Sequence, residues 1–222
     1  MTSRTSTRHQ PCVILQKAGI PCTLWFEDAL AHYGVPTEVF SLYVLVADID
    51  EARQILAQDG WTDASEPPET LTHFLLWHPE VQRRRLNPPA PDPAAPYWMV
   101  STVLLPAAEW YFPAQELVSA ASQNQFYPSL PTLLNSLISK LLDAPHDSHL
   151  QTTMAVYVLY LYEYVKELKD QEFANSIKYE NSRFHSDAVS GLSIGTLPVI
   201  EEERRLRDQL RSGSNKVKDM SV

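Results

Sequence analysis

The hydrophobic period changes once along this chain, near Ser129, and that change constrains the fold more than any other feature. Before it, apolar residues come in short β-branched and aromatic runs broken by glycine and proline, the signature of strands and turns. Cys22 to Phe26, Val39 to Val46, Thr72 to Trp77 and Tyr97 to Leu105 read as strands. Helices are expected at Val13 to Lys17, at Glu27 to Tyr33, and from a cap at Asp48 or Asp50 through Ala52, Ile55 and Leu56 to Gly60. After it, Pro131 suits a first helical position, and Leu133, Leu134, Leu137, Ile138, Leu141 and Leu142 form one stripe. A second stripe runs through Leu150, Met154, Tyr157, Val158, Leu161 and Val165 behind a cap at Asp147 or Ser148. The expected class is therefore α/β (α+β): a mixed sheet flanked by helices, followed by a C-terminal helical pair.

Domain organisation follows from composition. Residues 1–10 and 213–222 are polar, with almost nothing to bury, and are expected to be disordered tails. Residues 11–128 form the α/β core and 129–212 the helical part. The stretch NPPAPDPAAP, Asn87 to Pro96, holds too many prolines for a packed element and reads as a surface loop.

A formal charge of −9 argues against nucleic-acid binding, which needs a concentrated basic field. Arg83-Arg84-Arg85 and Arg204-Arg205 are too short to reverse this and read as solvated loop or helix faces. Two cysteines, Cys12 and Cys22, make no disulfide framework, and reduced thiols are expected. The start, MTSRTSTRHQ, carries no apolar signal core, and the longest apolar stretch, Met154 to Tyr162, is far short of a membrane span. A cytoplasmic protein without membrane contact is the expectation.

Leu24 to Val46, LWFEDALAHYGVPTEVFSLYVLV, resembles the signature of the nucleotidyltransferase superfamily. That signature places a Gly-Gly before a helix with small residues, then a Gly-Val-Pro-Arg turn, then a strand carrying Asp-x-Asp. Ala29, Ala31, Gly34, Val35 and Pro36 match the helix and turn, and Val44, Leu45 and Val46 the end of the strand. Leu76 to Glu80 and His185 to Gly191 also resemble segments of uncharacterised fungal relatives.

The departures fall on the chemistry. Phe26 and Glu27 stand where the family has Gly-Gly, Ser41 and Tyr43 where it has the two aspartates, and Thr37 where it has arginine. The family's carboxylates hold two metal ions on the triphosphate. Serine and tyrosine are poor ligands for hard divalent cations, so two-metal nucleotidyl transfer is not expected.

The resemblance then implies a repurposed cleft without cofactor or metal, taking an apolar small molecule. It implies a metal-independent cyclase or isomerase of fungal secondary metabolism, for example a cycloaddition catalyst working by confinement and orientation. Tyr43 and Ser41 would donate hydrogen bonds, Glu27 or Asp28 would orient substrate or move a proton, and Trp25, Phe26, His32 and Trp98 would contact the ligand. Glu27 and Asp28 also suit the capping of free backbone N–H groups at a helix start. Two alternatives stand beside this reading: a non-catalytic pseudoenzyme acting through protein partners, and a transferase with displaced carboxylates. A monomer or a homodimer is expected.

His185, Asp187 and Ser190 invite a hydrolase reading, but two-residue spacing in an expected loop fits a hydrogen-bonded turn better. His73 and His78, with His32, read as packing or surface residues. The tyrosines at 157, 160, 162 and 164 are expected mainly in the core.

Overall fold

The computed structural model describes residues 8–64, 81–89, 101–122, 126–192 and 197–212. It divides into two compact units, residues 1–133 and 134–222. The expected strand at Thr72 to Trp77, most of the proline-rich loop, and Trp98 lie outside the described residues.

The first unit is built as α1 (Gln10–Lys17), β1 (Cys22–Leu24), α2 (Glu27–His32), β2 (Leu42–Val46), α3 (Ile49–Gln58), β3 (Thr62–Asp63), β4 (Arg84–Asn87), β5 (Thr102–Pro106) and α4 (Ala114–Ser122). The mixed α/β class is as expected. The strands form one sheet in the order β1-β2-β5-β4-β3. β2 runs antiparallel to β1 and parallel to β5, with Tyr43 opposite Val103, while β5 and β4 are antiparallel.

Every residue of β2 is buried, which explains its near-continuous apolar run: a strand covered on both faces has no polar side to show. Its two faces do different work, because successive side chains alternate. Leu42, Val44 and Val46 join Leu15 of α1, Ala52 and Leu56 of α3, and Leu104 of β5 in one apolar cluster. Tyr43 and Leu45 point the other way.

The helix ends obey local rules. Pro11 lies in the first turn of α1, where its missing N–H costs nothing, so the helix starts earlier than Val13. Asp48 caps α3 by accepting from the N–H groups of Asp50 and Glu51 at 2.8 and 3.0 Å. Gly60, with φ +88°, closes the turn after α3; a Cβ there would also meet Pro89 Cβ at 3.0 Å. At the edge of the sheet, the carbonyl of Phe126 accepts from Leu24 N–H at 2.6 Å and from Thr23 Oγ1 at 3.0 Å, so β1 is not left open.

β4 corrects the reading of Arg83-Arg84-Arg85 as a loop or helix face. Arg84 and Arg85 are strand residues: Arg84 Nε donates to Asp50 Oδ1 at 2.8 Å, and Arg85 Nη2 to Ser101 Oγ at 3.1 Å. Only Leu86 of this strand is buried, so the apolar alternation that marks a strand is reduced to one residue.

The second unit contains most of α5 (Leu130–Asp143), then α6 (His149–Tyr164), a short α7 (Gln171–Ala174), α8 (Ser182–Val189) and α9 (Leu197–Arg211). It therefore holds helices beyond the expected pair. Both expected stripes are buried, and Ser148 caps α6 by accepting from Gln151 N–H at 3.1 Å. Tyr157 and Tyr162 are buried, but Tyr160 and Tyr164 are 41% and 48% exposed and pack edge-to-face on each other with centroids 6.2 Å apart.

His185, Asp187 and Ser190 do not lie in a loop. The first two are on α8, about 200° apart by helical period, and so cannot share a site. His185 is buried with Nδ1 2.8 Å from the Tyr162 hydroxyl, while Asp187 accepts from Arg183 Nε at 2.9 Å. Burial lowers the imidazole's pKa and raises that of the phenol. Among the described residues no helix is long and apolar enough to cross a membrane.

Candidate functional site

The residues of the LWFED turn occupy the junction between β1 and α2. Trp25 N–H donates to the Tyr43 carbonyl at 2.9 Å, which puts Trp25 and Tyr43 on the same face of the sheet. Phe26 then turns the chain into α2 with φ 50° and ψ −125°, and its side chain makes no capping bond. A positive φ of this kind suits glycine, and a bulky residue there carries a strain of about 1–3 kcal/mol. The resemblance places a glycine at this position, and the backbone has the conformation a glycine would take.

What holds Phe26 in that conformation is its ring. It packs against Tyr43 with centroids 5.1 Å apart and against Trp110 at 4.9 Å, both edge-to-face. Trp25 adds contacts to Trp110 at 6.5 Å and Phe112 at 5.7 Å. Such geometries match the positive edge of one ring to the negative face of the next. Trp25 and Phe26 are fully buried and Tyr43 is 2% exposed. Three expected site residues thus come together, joined by Trp110 and Phe112, which were not among them. Trp110 ends the 3-10 turn Ala107–Trp110.

Asp28 belongs to a different cluster. Its carboxylate takes a two-pronged bond from Arg8, Nε to Oδ1 at 2.8 Å and Nη2 to Oδ2 at 2.7 Å, with His9 Nε2 3.7 Å away. Arg8 Nη1 and Nη2 also donate to the carbonyls of Phe40 and Ser41, at 2.9 and 3.4 Å. One guanidinium therefore ties the entry to α1, the start of α2 and the approach to β2 together. Residues 8–10 are consequently part of the fold, which corrects their assignment to a disordered tail. The signal was hidden because the partners lie 20 and more residues apart.

Burial opposes ionisation of Asp28, but the Arg8 bonds and the nearby His9 outweigh it and hold the carboxyl below its ordinary value. A depressed folded-state pKa gives stability that is present above about pH 4 and lost as pH falls through the folded value. Asp28→Asn is expected to cost about 2 kcal/mol at neutral pH, since one partner of a largely buried pair is neutralised. It should also flatten the acid limb of a stability profile measured by urea unfolding below about pH 4.

His32 is exposed and stacked on Tyr127 with centroids 4.0 Å apart, and Tyr127 in turn meets His9 edge-to-face at 6.0 Å, so His32 lies at the margin of the Asp28 cluster. Partial desolvation lowers its pKa. Tyr33 anchors the end of α2 by donating to the Pro128 carbonyl at 2.5 Å, and burial pushes its phenol up to about 12. Glu27 and Ser41 are both buried.

The register brings further polar groups to the Ser41 end of the same sheet face. Ser101 precedes β5 and is fully buried; its Oγ accepts from Arg85 Nη2 and donates to Asn87 Oδ1 at 3.2 Å. These three residues were not foreseen, and only the strand pairing places them beside Ser41.

The two metal ions implied by the resemblance do not fit the residues present. The Asp-x-Asp positions hold a serine and a tyrosine, and the tyrosine ring is packed on Phe26. Among the described residues no three His, Cys, Asp or Glu side chains are grouped as a metal site. No family model matches the chain, and comparison with curated proteins likewise finds no match.

Proposed function

We propose that this chain is a degenerate nucleotidyltransferase-type protein that does not transfer nucleotides, its former reaction centre rebuilt as a packed aromatic cluster. The observation that carries this reading is Phe26, a bulky residue on a glycine-type backbone whose ring fills the space beside Tyr43. The succession of helix, glycine turn and strand over residues 27–46 supports it, with Gly34 at φ +85°. A phosphate cannot approach the backbone past a phenylalanine ring, and the strand offers no anionic oxygens for the metal that would accompany it.

A second reading, a binding protein or metal-independent cyclase or isomerase for an apolar small molecule, is favoured by Trp25. Its indole N–H is buried with no hydrogen-bond partner among the described residues. An unmade bond of this kind costs about 1–3 kcal/mol, which a ligand carbonyl or ether oxygen would recover. The aromatic cluster would supply the apolar wall, with Tyr43 beside it.

One thermal-shift experiment tests both readings, because a ligand of the native state raises the melting temperature by mass action. Magnesium with each nucleoside triphosphate is expected to leave the melting temperature unchanged; stabilisation would overturn the first reading. A panel of apolar terpenoid and polyketide intermediates addresses the second. Stabilisation should disappear in Trp25→Phe, which keeps an aromatic ring and removes the N–H donor, and a shift that survives this substitution places the ligand elsewhere.

A further inference from the structure

The β3–β4 edge of the sheet carries a group of charged side chains away from the aromatic cluster. Arg84 lies opposite Leu104, and Asp63 opposite Leu86, so both project from the sheet face opposite to Tyr43, the face against which α3 packs. Asp50 and Arg53 stand three residues apart on α3 and therefore on one side of that helix. These four residues line an open groove of about 380 Å³. A groove of that size is within the range of small-molecule sites, about 300–1,000 Å³.

Within the groove the charges are paired but not exhausted. Arg53 makes a two-pronged bond to Asp63, Nε donating to Oδ1 at 2.7 Å and Nη2 to Oδ2, and Arg84 Nε donates to Asp50 Oδ1 at 2.8 Å. Among the described residues, Arg53 Nη1, Arg84 Nη2 and Asp50 Oδ2 make no hydrogen bond. The four side chains are 37% to 60% exposed, so a ligand reaches them without opening the fold. The amides at the start of α3 take no part, since Asp48 already accepts from Asp50 and Glu51 N–H.

Two guanidiniums and two carboxylates sum to no net charge, and this decides the ligand class. A phosphate or sulfate would meet Asp50 and Asp63 along with the arginines, and a metal cation would meet the arginines along with the carboxylates. A dipolar molecule is attracted by both. We propose that this groove binds the head group of a free α-amino acid, its carboxylate held by the remaining donors of Arg53 and Arg84 and its ammonium by Asp50 Oδ2. Both ion pairs stay intact, because the ligand uses only the atoms they leave over, and binding adds charge-assisted hydrogen bonds without breaking any.

NMR titration of the full chain with L-alanine, L-leucine and L-glutamine reads this directly, with acetate and ethylamine as single-charge controls at matched ionic strength. The amino acids are expected to give saturable shifts of amides in α3, β3 and β4 in the millimolar range, and neither control to do so. Arg84→Gln and Asp50→Asn each remove one half of the recognition from an exposed position. Each should weaken binding about tenfold or more, with the remaining spectrum unchanged. No saturable shift with any of the three amino acids, equal shifts with acetate or ethylamine alone, or an affinity unchanged in either variant would each overturn the site.

Discussion

Replacing Phe26 by alanine is expected to lower the unfolding free energy of the first unit by about 3–5 kcal/mol, and replacing it by glycine to cost about 1 kcal/mol less than that. The order is the unusual part. At an ordinary position glycine is worse than alanine by about 0.5–1 kcal/mol, because it has more conformational freedom to lose. At Phe26 both substitutions remove the ring from between Tyr43 and Trp110, so the cavity term is common to them. Alanine keeps a Cβ at φ 50° and retains strain, whereas glycine takes that conformation without penalty. Urea unfolding of the two variants measures the difference, and Tyr43→Ala against Tyr43→Gly in β2 supplies the control, with the usual order expected there. Alanine and glycine in the usual order at 26 as well would mean that the backbone conformation carries no strain, removing the main support for a glycine-derived turn.

The same residue shows how the sequence both reveals and conceals the site. The helix, Gly34 turn and β2 were legible because apolar spacing, small residues and a glycine with positive φ leave local marks. So was α3, whose capping aspartate precedes a periodic stripe. Phe26 could be seen as standing where the resemblance has glycine, but its strain and its packing on Trp110 join positions 84 residues apart. No local pattern reports such a contact. Arg8 was missed for the same reason, since its value lies in reaching Asp28 and the carbonyls of Phe40 and Ser41. β4 failed differently: with Arg84 and Arg85 engaged by side chains of other elements, it shows almost no alternation. α8 buries only Phe184 and His185, too few to announce a helix. Of the expected site residues, Trp25, Phe26 and Tyr43 fall in the aromatic cluster and Asp28 in the Arg8-centred ion pair, a division that depends on tertiary packing.

In the second unit, Arg207→Ala is expected to cost about 3 kcal/mol, more than Arg207→Met. Arg207 is 2% exposed and lies against the C-terminal turn of α5, where it donates to Asp143 and, at 3.4 Å each, to the carbonyls of Ser139 and Leu142. The last carbonyls of a helix have no intrahelical partners and carry the negative end of its dipole, so a buried cation there meets two needs at once. Alanine removes the donors and leaves a cavity; methionine fills most of the volume without donating. The difference between the two variants in urea unfolding separates packing from polar satisfaction. Asp143 retains Arg211 at 3.6 Å and Leu142 retains Arg204 at 2.7 Å, which keeps the expected loss at the lower end for a buried charge pair. Equal losses in the two variants would assign the whole effect to the unsatisfied α5 terminus. A methionine variant as stable as wild type would assign it to packing, and would mean that Arg204 alone suffices to hold the end of α5.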